Sequence, residues 1–172
     1  GRSGQIVARV LRMRGYELTL IDNSPTRIRM AASLGDKVFF GDGSRLDVLT
    51  MAGAAEAKAI FLCINDREGA KKAVSRLRER FPDQIILAIS YDRFSEIEMR
   101  EAGADEVIRE TLESAIALAR RGLQYLGDNA DLDELIAEFR RRDEEMLRLQ
   151  IEHGMSEGIR KMREKYRLEK AG

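Results

Sequence analysis

Short apolar runs and amphipathic stretches alternate along the first two thirds of this chain. Residues 4–14 place Ile6, Val7, Val10, Leu11 and Met13 at helical spacing, and Gly15 closes the stretch. Residues 17–21 are rich in branched side chains and predict a strand, followed by Asp22 and Asn23. Ser24 then suits the cap of a helix and Pro25 its first position, with Gly35 as the stop after about Leu34. The same unit recurs. Residues 37–40 predict a strand, 41–44 a turn and 45–52 a short helix. Residues 57–64 form a continuous apolar run, expected to be a strand buried on both faces, and 67–80 a helix. Pro82 and Asp83 turn the chain into a strand at 85–90, a helix at 93–102 and a short strand at 105–108.

After residue 109 the pattern changes. Residues 110–126 predict one amphipathic helix carrying Leu112, Ile116, Leu118, Ala119 and Leu123, and 127–129 a break. From Asp131 to about Glu169 the chain is charged and helix-forming, with an apolar stripe that includes Leu132, Phe139, Leu147, Met155 and Tyr166. Gly154 and Gly158 are expected to interrupt it. So sparse a stripe needs cover from the preceding body or from a second subunit. The alternation implies an α/β fold: a Rossmann-like parallel sheet with helices on both faces, followed by an all-helical C-terminal extension. The corresponding division is 1–109 and 110–172.

Composition narrows the function classes. Of 172 residues, 44% are hydrophobic, enough for a core, and 35% are charged. Thirty basic residues balance 30 acidic ones, so nothing in the total charge points to a nucleic-acid partner. The single cysteine, Cys63, excludes an internal disulfide and is compatible with a reducing compartment. No apolar run approaches the roughly 20 residues that span a bilayer.

The first residues carry the strongest chemical signal. Gly1 and Gly4 fit the second and third glycines of a G-x-G-x-x-G dinucleotide fingerprint, with Arg2 and Ser3 between them. The first glycine and its preceding strand are absent, so the natural chain is expected to continue upstream. Glycines at a strand-to-helix turn let backbone N–H groups approach phosphates at the positive end of the helix dipole. Asp22, 18 residues after Gly4, ends the second expected strand, where a carboxylate accepts hydrogen bonds from ribose hydroxyls. Asn23, Asp42 with Gly43, and Asn65 with Asp66 follow successive strands on the same carboxyl edge, where open α/β sheets bind ligands. The plainer reading makes each a turn residue or helix cap. Catalytic signals are weak. The one histidine, His153, lies in the charged tail, Cys63 reads as a structural thiol, and no metal-ligand spacing occurs. Arg120 and Arg121, and the run Arg140, Arg141 and Arg142, read either as faces laced with ion pairs or as capture sites for an anion or acidic partner.

The stretch Gly1-Arg2-Ser3-Gly4-Gln5-Ile6-Val7 resembles the G-R-x-G-Q-x-V motif of the KTN or RCK domains that regulate potassium transport. Residues 37–44 (KVFFGDGS) resemble their K-V-x-Y-G-D-A-[ST] turn, and Ala52-Gly53-Ala54 and Ile108-Arg109-Glu110-Thr111 also match. The pattern extends through Leu126-Gly127 and Phe139-Arg140-Arg141 and is most similar to the cytosolic domain of the Kef family of glutathione-gated potassium efflux systems. It thins after about residue 150. Three positions depart from it: Ser3 stands where a bulky aromatic is common, Gly43 replaces an alanine, and Asp143 stands where the family has an asparagine.

That resemblance implies a dimeric cytoplasmic domain of an inner-membrane protein. It would bind AMP or NAD(H) and gate a potassium:proton antiporter encoded upstream on the same chain. Glutathione would hold the transporter closed and glutathione adducts would release it. The resemblance also admits an ancillary oxidoreductase subunit as a partner. Arg9 and Arg109 match arginines of the family's glutathione site, and Asp143 aligns with an asparagine that contacts the peptide. An aspartate there repels the glutathione carboxylates. Either a neighbour such as Arg142 compensates or glutathione binds less well. Two other functions fit the same residues: the nucleotide-binding subunit of a Trk-type potassium uptake system, and a small NAD-dependent oxidoreductase.

Overall fold

The computed structural model describes residues 1–171, which divide into two bodies: Gly1–Glu110, and the helices from Thr111 onward. The first body runs α1 (Arg2–Met13), β1 (Thr19–Asp22), α2 (Pro25–Ser33), β2 (Lys37–Phe40), α3 (Leu46–Met51), β3 (Ile60–Leu62), α4 (Arg67–Arg80), β4 (Ile86–Ser90), α5 (Arg93–Glu101) and β5 (Glu106–Arg109). Its helices start where side chains satisfy the free N–H groups of the first turn. Ser24 Oγ accepts from the Arg27 amide at 3.4 Å, Asp66 from Gly69 at 3.0 Å, and Asp92 from Ser95 at 2.8 Å. Gly15 and Gly35 take the left-handed φ values of +80° and +87° that end α1 and α2.

All strand pairs are parallel, as the alternation predicts. They form two separate sheets: β1 pairs with β2, and β3, β4 and β5 pair in that order. β3 is shorter than the apolar run at 57–64 suggests. The carbonyls of Ala54 and Ala57 accept from Gln84 Nε2 at 2.7 and 2.6 Å, so they join a loop clamp instead of a ladder. Nor is β3 buried on both faces, because Phe61 points to an open side and stays 42% exposed. The covered face holds the core. Ala70, Ala73, Val74 and Leu77 of α4 lie in one buried cluster with Ile60, Leu62, Ile86, Ala88, Val107 and Met99. Arg78 braces the end of the sheet opposite the carboxyl edge. Its guanidinium reaches the carbonyls of Gly103 at 2.9 Å and Gln84 at 2.8 Å, and Asp105 at 2.8 Å.

The second body contains α6 (Glu110–Tyr125, which begins at the boundary), α7 (Leu132–His153) and α8 (Met155–Ala171). The expected interruption at Gly154 is real, since its φ of +88° ends α7. The expected interruption at Gly158 is not. Gly158 lies buried inside α8, where an added Cβ would stand 2.7 Å from the backbone nitrogen of Gln150. It is the point of closest approach between the two helices. The tail therefore covers part of its stripe by folding α8 back along α7, which buries Leu147, Gln150 and Met162. Leu118, Tyr125, Leu126, Leu135 and Leu168 remain more than half exposed.

Candidate functional site

Parallel strands put their carboxyl ends on one edge, and the turns there carry most of the polar residues singled out from the sequence. The α1 N-terminus sits between β1 and β3. The Gly1 nitrogen lies 3.0 Å from Asp22 Oδ2 at the end of β1. A Cβ on Gly1 would stand 3.7 Å from the Cys63 carbonyl and 4.0 Å from Asn65 Nδ2, just beyond β3. A Cβ on Gly4 would meet Cys63 Cβ at 3.3 Å, so Gly4 allows close approach of helix to strand. Gly1 has no side chain to cap the first turn of α1, and its N–H groups are left for other partners. Ser3 Oγ instead donates to Glu110 at 2.9 Å, and Arg2 is exposed.

The turn after β2 joins this edge. Asp42 accepts from the Ser44 amide at 2.9 Å and from Ser44 Oγ at 2.7 Å, and these bonds hold its carboxyl below the usual range. A Cβ on Gly43 would stand 3.8 Å from Ile21 Cγ2, an ordinary van der Waals contact. Gly69 draws the turns together. A Cβ there would lie 2.5 Å from Asp66 Oδ2 and 3.3 Å from Ser44 Cβ, so any side chain would push apart the Asp66 cap and the Asp42 turn. Asp42 and Asp66 thus serve their own turns, while Asn23 and Asn65 are exposed on the same edge. Burial pushes the Cys63 thiol up, against reactivity.

Asp22 is the most heavily engaged carboxylate of the edge. The Arg27 guanidinium donates Nε to Oδ2 and Nη2 to Oδ1, both at 2.8 Å, and the Ser24 amide adds a bond to Oδ1 at 2.8 Å. These donors, Arg27 foremost, hold the Asp22 carboxyl far below the usual carboxylate range against the opposing effect of burial. Sequence reasoning missed Arg27. Its signal was an arginine five residues after the strand-ending aspartate, on the first turn of the next helix, where it reaches back over the strand end.

The residues expected to bind an anionic peptide are distributed more widely. Arg109 ends β5 and is buried, with Nη1 3.8 Å from Glu96 Oε2. Arg100 reaches Oε1 of the same carboxylate at 3.1 Å, so two guanidiniums share Glu96. Glu96 too was missed, since one acid inside a charged helix carries no distinguishing pattern. Arg9 is exposed on α1, and Asp143 lies half-buried on α7 of the second body. Among the described residues no group of three or more His, Cys, Asp or Glu side chains is placed to hold a metal. In the second body the arginine run is paired. Arg140 binds Glu113 at 2.6 Å, and Arg141 and Arg142 both reach Glu138. Arg120 binds Asp133 at 2.7 Å, and His153 lies 3.4 Å from Glu152.

Comparison with known proteins adds a family context. The TrkA-N domain pattern matches residues 1–110. The chain is 42% identical over 160 residues to a glutathione-regulated potassium-efflux system protein of Haemophilus influenzae, an alignment covering 92% of this chain and 26% of the relative. It is 36% identical over 127 residues to the glutathione-regulated potassium-efflux system protein KefC of Escherichia coli, covering 74% of this chain and 20% of the relative. It therefore spans about a quarter or less of the relatives it matches. A Kef CTD from Shewanella denitrificans, solved in AMP-bound form, superposes with a TM-score of 0.79 at 31% identity, over 88% of this chain and 92% of that one.

Proposed function

The chain belongs to the TrkA-N family, and we propose that within it this protein is the nucleotide-binding regulatory domain of a Kef-type potassium:proton antiporter. In this reading it works as a ligand-controlled gate and not as an enzyme. AMP or NAD(H) occupies the carboxyl edge of the first body, with phosphates on the uncapped N-terminus of α1 at Gly1–Gly4 and the ribose toward the end of β1. Asn23, Asp42, Gly43, Asn65 and Asp66 line the same edge. Glutathione or its conjugates act as the effector through Arg9 and Arg109, and Asp143 is the position that aligns with the family's peptide-contacting asparagine. The domain forms a homodimer on the cytoplasmic side of the inner membrane, attached to its transporter, with an ancillary oxidoreductase subunit as a further partner.

The single observation that carries this reading is the convergence of Gly1, Gly4, Asp22 and Asn65 at one strand edge. It gains weight from the AMP-bound form of the Shewanella Kef CTD and from the similarity to efflux-system relatives. The effector claim has a physical basis as well. A ligand shifts a two-state gate only through different affinities for the two states. Carboxylates of a small peptide compete directly for an arginine such as Arg109, now held by Glu96.

Calorimetric titration of the chain with AMP and with NADH tests the nucleotide claim, and saturable binding of at least one is expected. Binding of neither sinks it. Arg109→Ala is expected to weaken glutathione or its S-conjugates while leaving nucleotide affinity in place. Unchanged effector affinity removes Arg109 from the site.

A further inference from the structure

We infer that Arg27 sets the specificity of the nucleotide site, and that it makes the site accept adenine nucleotides carrying a phosphate on the ribose 2′ oxygen. This rests on the nucleotide reading above and goes beyond it to the chemical class of the ligand. In strand–turn–helix nucleotide sites, a carboxylate at the end of the second strand accepts bonds from the ribose hydroxyls. Its charge disfavours a 2′-phosphate, whereas a nearby arginine accommodates one.

Here Asp22 has little left to offer a ribose. A carboxylate presents about four lone-pair directions. Oδ1 already accepts from the Ser24 amide and from Arg27 Nη2, each at 2.8 Å. Oδ2 accepts from Arg27 Nε at 2.8 Å. Three of those directions are therefore used, two of them by Arg27, and a ribose hydroxyl meets a carboxylate whose two oxygens are both already held by a guanidinium. The charge follows the same logic. Asp22 and Arg27 together are neutral, so the repulsion a lone aspartate exerts on a phosphate is cancelled.

What remains exposed is the guanidinium. The Arg27 side chain is 38% exposed against 13% for Asp22. The bidentate bond uses Nε and one Nη2 proton, and no described residue takes a hydrogen bond from Nη1. Two Nη1 protons and one on Nη2 are available, arranged for phosphate oxygens. Asp22 fixes the plane of the guanidinium, so little rotamer freedom is lost on binding. Arg27 is thereby a ligand-contacting specificity residue and Asp22 the group that positions it.

The test is a calorimetric comparison of AMP with adenosine 2′,5′-bisphosphate, and of NADH with NADPH, on the wild-type chain, Arg27→Ala and Arg27→Gln. The wild type is expected to bind the bisphosphate at least as tightly as AMP. Both variants are expected to lose about tenfold for the 2′-phosphorylated ligands relative to AMP, with an unchanged circular dichroism spectrum and thermal midpoint as the check on folding. The inference is overturned if the wild type prefers AMP by tenfold or more, or if the variants leave the ratio of the two affinities unchanged. Absence of binding by every nucleotide overturns the underlying nucleotide reading and this inference with it. AMP binding with rejection of the bisphosphate overturns this inference alone.

Discussion

The two bodies of this protein are held together by different means. In the first, α4 lays small and branched side chains on a sheet whose facing residues are equally apolar. Ala70, Val74, Leu77 and Ile86 are wholly excluded from solvent. Burying a Leu or Ile side chain contributes about 1.5–3 kcal/mol, so such a face stabilises the body without help from its charges. In the second body, among the described residues, only Leu132, Leu147 and Met162 are buried apolar side chains. Its surface is dominated by ion pairs such as Arg142 with Glu138 and Arg160 with Glu157, on side chains 37–54% exposed. Exposed pairs of this kind contribute little, because solvent screens them and ordering long side chains costs entropy. One body rests on apolar area, the other on a few close contacts between α7 and α8.

The sharpest test of that contrast is Leu77→Ala. The site is fully enclosed by helix and sheet, so the variant is expected to lose about 2–5 kcal/mol in denaturant unfolding of the first body. A loss below about 1 kcal/mol would mean that the cluster is not the main support. Gly158→Ala probes the other body. A methyl group there meets Gln150 Cγ at 2.6 Å and its backbone at 2.7–2.8 Å, so α8 must move off α7. Loss of about 1–3 kcal/mol is expected, seen as increased amide exchange in α7 and α8 with α4 still protected. Equal loss of protection in α4 would make the two bodies one cooperative unit.

A smaller effect is expected from pH. Asp22 has its carboxyl held down by Arg27, so its contribution is present above the unfolded value near 3.8 and is lost as pH falls through and below it. The first body is expected to weaken in acid, and Asp22→Asn to flatten that part of the curve. An unchanged acid limb would show that other carboxylates account for it. Arg160→Ala, which removes pairs with Glu157 and Glu164 on the surface of α8, is expected to move the thermal midpoint least. A clear drop would show that the tail depends on its ion pairs after all, and high salt would then weaken the wild type likewise.

The element order of the first body was legible because each turn carries its own local chemistry. Ser24, Asp66 and Asp92 cap helices, and Gly15 and Gly35 end them, whatever the rest of the molecule does. The candidate edge was legible for the same reason, since parallel strands force the turns after β1, β2 and β3 to one side. Lengths were less secure. The 57–64 run loses its first residues where Gln84, 27 residues on, claims the Ala57 carbonyl. That is a side-chain contact no local pattern encodes.

By itself the sequence determined the α/β alternation, the parallel pairing, the glycine-bearing start of α1 and the placing of Asp22 at a strand end, because all of these follow from periodicity and short-range capping. The tertiary structure decided what depends on distant approach. It turned Gly158 from a break into a contact and set Arg109 against Glu96. It also folded Arg27 back onto Asp22. That last contact changes the group offered to a ligand from a carboxylate to a guanidinium, and only the geometry of a strand end meeting the next helix could show it.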